Sequence, residues 1–226
     1  MFSNRQEAGI LLAEKLAEER PDLTSGSPNQ NVVIGIGAGG ILVARHVSTK
    51  LRTPLTAFSA ESIKDYDNPE REIAAVTSSG LVLHDESIRT ATGEHCYLGH
   101  QIRSLVDRAH ESQRTLLAYP GIDHWPQMTC TKVIFVDEGM LSPLIGRVAA
   151  MTVNELGATE LILATPAIEK STKQLFETVF DAVIPLTISP GLVSMEHIYS
   201  DYQPADNPQM LETLYGEVPD GMLTSF

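Results

Sequence analysis

The chain has 226 residues, 42% hydrophobic and 20% charged, and its 16 basic against 29 acidic side chains leave a formal net charge of −13. This length suits one α/β domain, with or without an appendage, built on a single hydrophobic core. The charge argues against general binding to nucleic acid or to an anionic membrane surface, and a highly negative ligand would need local compensation.

In chain order, Asn4 with Glu7 has the spacing of a capping box, and Ala8, Leu11, Leu12 and Leu16 predict one face of a helix that stops before Pro21. Thr24 to Asn31 reads as a loop. Asn31 to Arg45 is a strand, a glycine-rich turn and a helix. Gly35, Gly37 and Gly40 match the bare dinucleotide-loop pattern, but no acid closes a second strand at the expected distance, because Leu55 to Ala60 ends before Glu61. Pro54 to Phe58 predicts the next strand. Ile73 to Thr77 and Leu81 to Leu83, separated by Ser-Ser-Gly, predict a hairpin. Glu94 to Leu117 carries a helical apolar stripe, and Tyr119 to Met128 is a loop with the lone Trp125.

Lys132 to Ile145 then sets strand, acidic turn and helix end to end. Val133 to Val136 reads as a buried parallel strand that ends in Asp137, Glu138 and Gly139. Ser142 before Pro143 marks a helix start, with the hydroxyl as cap and proline where its missing N–H costs nothing. That helix runs to Leu156 and stops at Gly157. Thr159 to Ala164 predicts a strand ended by Thr165-Pro166-Ala167, Ile168 to Val179 a helix, and Ala182 to Leu186 a last strand. Alternating strands and helices imply a parallel α/β sheet. In such sheets ligands bind beyond the carboxyl ends of the strands, where free helix N–H groups favour a phosphate and carboxylates accept sugar hydroxyls.

The run Val133-Ile-Phe-Val-Asp-Glu-Gly139 resembles the signature of type I phosphoribosyltransferases, a hydrophobic strand with two acids before a phosphate loop. The resemblance implies a twisted parallel sheet flanked by helices, with a small flap from about 59 to 83 and a tail from about 190, in a single domain covering 1–226. It implies that Asp137 and Glu138 hold ribose hydroxyls and that Gly139, Met140, Leu141, Ser142, Pro143, Leu144 and Ile145 wrap a 5′-phosphate. Gly37, Ala38, Gly39 and Gly40 stand where many relatives carry a pyrophosphate loop. Asn68-Pro-Glu and the tail Ser194 to Tyr202 are also similar to one subgroup. The implied activity is transfer of a 5-phosphoribosyl group from phosphoribosyl pyrophosphate to a nitrogenous base, with Mg²⁺ entering only with that ligand.

Three departures fall on expected ligand contacts. Ala38 replaces an arginine, Pro143 and Ile145 replace a glycine and a threonine, and Ser59-Ala60-Glu61 replaces an Arg-Lys pair. Proline removes a backbone donor and isoleucine a hydroxyl. The competing expectation is therefore a catalytically degenerate relative that binds a nucleotide or a protein partner. Lys64, Arg71, Arg45 and Arg147 are the cations that could compensate.

Bland readings stand beside these. Gly39 and Gly40 serve ligand approach or tight strand–helix packing equally well, and Ser142 is a cap in either case. The histidines show no metal spacing, so no zinc site is expected, and a divalent cation held by Asp137 and Glu138 in a purely structural role is a weaker alternative. Cys96 and Cys130 fit thiols in a reducing compartment. The expected partner is a small phosphoribosyl or nucleotide ligand, without nucleic acid or membrane, in a cytoplasmic protein for which a homodimer is compatible.

Overall fold

In the computed structural model the described residues are 1–25, 31–65, 68, 71–77, 81–85, 107, 131–139, 142–192, 194–205, 209 and 212–213. The helical reading of Glu94 to Leu117, apart from Asp107, lies outside them. So do the Trp125 loop, both cysteines, Met140 and Leu141.

Five strands form a parallel sheet: β1 (Asn31–Ile36), β2 (Leu55–Phe58), β6 (Lys132–Val136), β7 (Glu160–Glu169) and β8 (Ala182–Ser189). Their order is β2-β1-β6-β7-β8. Three shorter strands, β3 (Ala60–Lys64), β4 (Glu72–Thr77) and β5 (Val82–His84), make a separate antiparallel sheet over the residues expected to form the flap. The helices are α1 (Arg5–Glu19), α2 (Asp22–Ser25), α3 (Gly37–Leu51), α4 (Pro143–Glu155) and α5 (Lys170–Phe176).

Strict alternation along the buried strands builds two cores, one on each face of the sheet. Val33, Ile134, Val136, Ile162 and Ala164 face α1 and α3, where Leu12, Leu16, Val43 and Val47 meet them. Val32, Ile34, Val133, Phe135, Leu161 and Leu163 face the other way, against Val148 and Val153 of α4 and Phe176 of α5. Phe135 is fully buried there and meets Phe58 and Phe180 edge-on, at centroid distances of 6.5 and 5.9 Å. At the amino ends of the strands, Arg20 and Lys132 tie Asp22 and Glu160 together. No helix among the described residues is long and apolar enough to cross a membrane.

The sequence expectations need correction at several points. Leu11 is 39% exposed, because one residue's rotation carries it off the face that Ala8, Leu12 and Leu16 bury, and Gly9 and Ala13 complete that face. Thr24 belongs to the short helix α2 rather than to a loop, and Asn31 opens β1. Ala60 to Lys64 is a third flap strand that pairs with β4. β7 does not end at Thr165. It pairs with β6 only as far as Ala164 and continues beside β8 alone, so Pro166 sits where its missing N–H has no β6 neighbour to serve. Helix α5 accordingly starts at Lys170 and stops at Phe176.

Replacing Phe135 with alanine should cost about 3–5 kcal/mol of stability, because it empties a buried aromatic position. Chemical denaturation of wild type and variant measures the difference.

Candidate functional site

In the order β2-β1-β6-β7-β8 the chain leaves β1 toward one side of the sheet and β6 toward the other. The carboxyl ends of β1 and β6 therefore flank the switch-point crevice, where open α/β sheets bind ligands. Gly37 follows β1 and Asp137 follows β6, so the two stretches singled out in the sequence meet at this point.

Gly37 to Gly40 is not a loop. It is the first turn of α3, which begins directly at the end of β1. Gly37 has φ +65°, the left-handed region that glycine tolerates best, and this lets the strand turn straight into a helix. Ile36 at the N-cap position offers α3 no side-chain cap. Gly40 lies against β6, and a Cβ there would stand 2.7 Å from the Val136 carbonyl oxygen.

The acid pair divides its work. Asp137 is buried, and its Oδ2 accepts a 2.7 Å hydrogen bond from the Gly139 amide, while its own amide donates to the Ala164 carbonyl. Gly139 has φ +117°, which bends the chain sharply after the acids. The carboxylate of Glu138 lies directly over Gly39, where a Cβ would fall inside it. Arg5, at the start of α1, donates from Nε to Glu138 Oε2 at 2.5 Å and from Nη1 to the Gln203 carbonyl at 2.6 Å. Its guanidinium stands 4.9 Å from the Tyr202 ring centroid and 5.9 Å from that of Tyr199. The Tyr199 hydroxyl donates to the Glu138 carbonyl at 2.5 Å. Burial, and then the charges of Glu138 and Asp137, hold the Tyr199 phenol well above its ordinary pKa.

The second half of the predicted loop stands at the start of α4. Ser142 caps the helix as expected, with Oγ accepting from the Ile145 amide at 3.3 Å. The same hydroxyl donates to Glu72 on β4, which ties the flap to the helix start. Ser142, Pro143 and Leu144 open onto a cavity of about 590 Å³ between α4, α5 and the flap. Arg147 and Lys64 lie on its wall, with the carboxylates of Glu72, Asp85 and Glu169. Of the candidate compensating cations these two reach the cavity, whereas Arg71 pairs with Asp65 and Arg45 is exposed on α3. Asp137, Glu138 and Gly37 to Gly40 are not on the cavity wall. Among the described residues no group of three or more His, Cys, Asp or Glu side chains is placed to hold a metal ion.

Sequence reasoning missed Arg5 and Glu72. Arg5 lies 133 residues from Glu138, and nothing in its local pattern marks it. The tail around Tyr199 was singled out by resemblance, but its contact with the Glu138 carbonyl was not.

No family model matches the chain. Two Mycobacterium tuberculosis proteins, each named "Putative phosphoribosyl transferase", are 28% identical over 171 residues, covering 74% of this chain. The chain spans about a third of the length of these curated relatives, 35% of each. A crystal structure of a Thermus thermophilus protein superposes with a TM-score of 0.74 at 22% identity, over 94% of this chain and 97% of that one. That likeness shows a shared fold along nearly the whole chain.

Gly39→Ala should destabilise the protein by about 1–3 kcal/mol, because the new methyl group displaces the Glu138 carboxylate. The cost should shrink in a Glu138→Ala background, and a double-mutant cycle by denaturation measures that coupling. The raised phenol pKa of Tyr199 gives stability that is complete below the ordinary tyrosine value of about 10 and is lost as the pH rises past it toward the folded value. Tyr199→Phe should therefore show a shallower alkaline fall in Tm than wild type, read in melts from about pH 9 upward.

Proposed function

We propose that this protein is a type I phosphoribosyltransferase relative that binds a phosphoribosyl ligand, the ribose 5-phosphate unit of a nucleotide, at its switch-point crevice. The observation that carries this reading is the cavity at the start of α4. The start of α4, capped by Ser142, lines it together with Arg147 and with Lys64, which is paired to Glu72. The phosphate sits against Ser142, Leu144 and Arg147, and the ribose extends toward Asp137 at the end of β6. Gly139 and Ile145 shape the turn between the two, and the flap strands roof the site.

The relatives' names favour a second reading, transfer of the 5-phosphoribosyl group from phosphoribosyl pyrophosphate to a nitrogenous base. That reaction would lean on positioning and on stabilising the departing pyrophosphate. The crevice offers little for the second task, since Ala38 carries no cation and Glu138 is committed to Arg5. The acids also do not fit a resident Mg²⁺. Glu138 is paired, Asp137 Oδ2 is bonded to the Gly139 amide, and Mg²⁺ would have to arrive on the ligand's own phosphates. Binding without turnover is the reading the geometry supports best.

Isothermal titration with ribose 5-phosphate and a panel of nucleoside 5′-monophosphates tests it. Micromolar affinity is expected. Arg147→Ala should weaken it by about 10–100-fold, the loss of one charge-assisted hydrogen bond. Silence across the panel would sink the assignment.

A further inference from the structure

The cavity between α4, α5 and the flap holds about 590 Å³, which is the size of a small-molecule site and far more than a phosphate needs. Its polar groups fall into two sets. On the flap side they answer one another, since Glu72 pairs with Lys64 and accepts from the Ser142 hydroxyl. On the opposite side Arg147 of α4 and Glu169 at the end of β7 line the same cavity without pairing with each other. Among the described residues neither side chain has an ion-pair or hydrogen-bond partner.

Glu169 reaches this position because β7 outruns its neighbour. The strand pairs with β6 only to Ala164 and continues beside β8 to Glu169, roughly 16 Å further at about 3.3 Å per residue. It thereby carries Ile168 and Glu169 past the carboxyl end of β6. The Glu169 carboxylate does not cap α5. Beside it the wall is aliphatic, with Leu144, Ile168, Leu175 and Leu192, and Leu175 is left 37% exposed. Open apolar surface next to an unanswered carboxylate fits a flat ring that carries hydrogen-bond donors on its edge. A carboxylate only accepts, and its two oxygens best serve two donors set side by side. Among the common nucleobases guanine alone offers that pair, its ring N1–H and its exocyclic amino group. Adenine and cytosine place an acceptor next to their amino group, and hypoxanthine and uracil lack the amino group.

We infer that Glu169 is a specificity-determining residue that accepts hydrogen bonds from the base of a bound nucleotide, so that the cavity prefers guanine among the nucleoside 5′-monophosphates. This rests on the proposal that the ligand's phosphate sits beside Arg147. With the ribose at the end of β6, the base stands against the extension of β7, its face on the aliphatic wall and its donor edge toward Glu169. A base that turns an acceptor to the carboxylate sets lone pair against lone pair. One that lacks the amino group leaves a carboxylate oxygen unpaired, and a site built to bond that group discriminates against its absence.

The test compares guanosine, inosine and adenosine 5′-monophosphates by calorimetry, with ribose 5-phosphate to report the phosphate end alone. The inosine and guanosine nucleotides differ only in the exocyclic amino group. Wild type should bind guanosine monophosphate at least about 10-fold more tightly than either of the other two, the worth of one hydrogen bond to a charged group. In Glu169→Gln, where a donor replaces one acceptor, the ratio of guanosine to inosine affinities should fall toward one. Glu169→Ala gives the same readout if that variant does not fold. Equal binding of the guanosine and inosine nucleotides to wild type would overturn the inference, and binding of ribose 5-phosphate would leave the site assignment standing. An unchanged ratio in the variants would also overturn it, by placing the discrimination elsewhere. Silence from all four ligands would bring down the site assignment and the inference with it.

Discussion

The contact between Arg5 and Glu138 ties the turn after β6 to both ends of the described chain. A carboxylate set over the first turn of a helix is favoured by the helix dipole, and a guanidinium behind it completes the charge balance in a poorly solvated crevice. Because the pair is largely removed from water, each partner requires the other. The pair draws together three distant parts of the chain: the start of α1, the turn after β6, and the tail that supplies Tyr199, Tyr202 and the Gln203 carbonyl. The bare backbone of Gly39 is the space that makes this possible.

The remaining charge is distributed to match. The amino ends of the strands are neutralised locally by the Arg20, Asp22, Lys132 and Glu160 cluster. At the carboxyl edge the protein, with its net charge of −13, gathers two cations, Lys64 and Arg147, around one helix start. Their wall also carries Glu72, Asp85 and Glu169, so the cavity is polar and mixed in sign rather than strongly positive. Glu72 binds both Lys64 and the Ser142 hydroxyl, and this couples the flap to the start of α4.

The fold was legible because its signals are local. Val133 to Val136 and the Ser142-Pro143 helix start announce a strand and a cap within a few residues, and the structure places them accordingly. The errors arose where a neighbour decides the outcome. Pro166 reads as a strand terminator, yet it is tolerated because β6 has already ended beside it. Gly37 to Gly40 reads as a loop, yet it is helical because Glu138 and the β6 backbone fill the room the glycines leave. The meeting of these glycines with the acid pair could be anticipated from topology. Arg5 could not, since only the folded chain brings it to Glu138.

The first few residues and the tail are stitched together by a bridge between Phe2 and Tyr199, with the Phe2 amide donating to Ile198 and the Ser200 amide to Phe2. On a chain made from its amino end, the strands and helices of the sheet can pack as they emerge, but the Glu138 carbonyl lacks its Tyr199 donor until the ribosome has passed residue 199. The crevice is thus assembled last and through contacts of long sequence separation, which are the slow ones in folding.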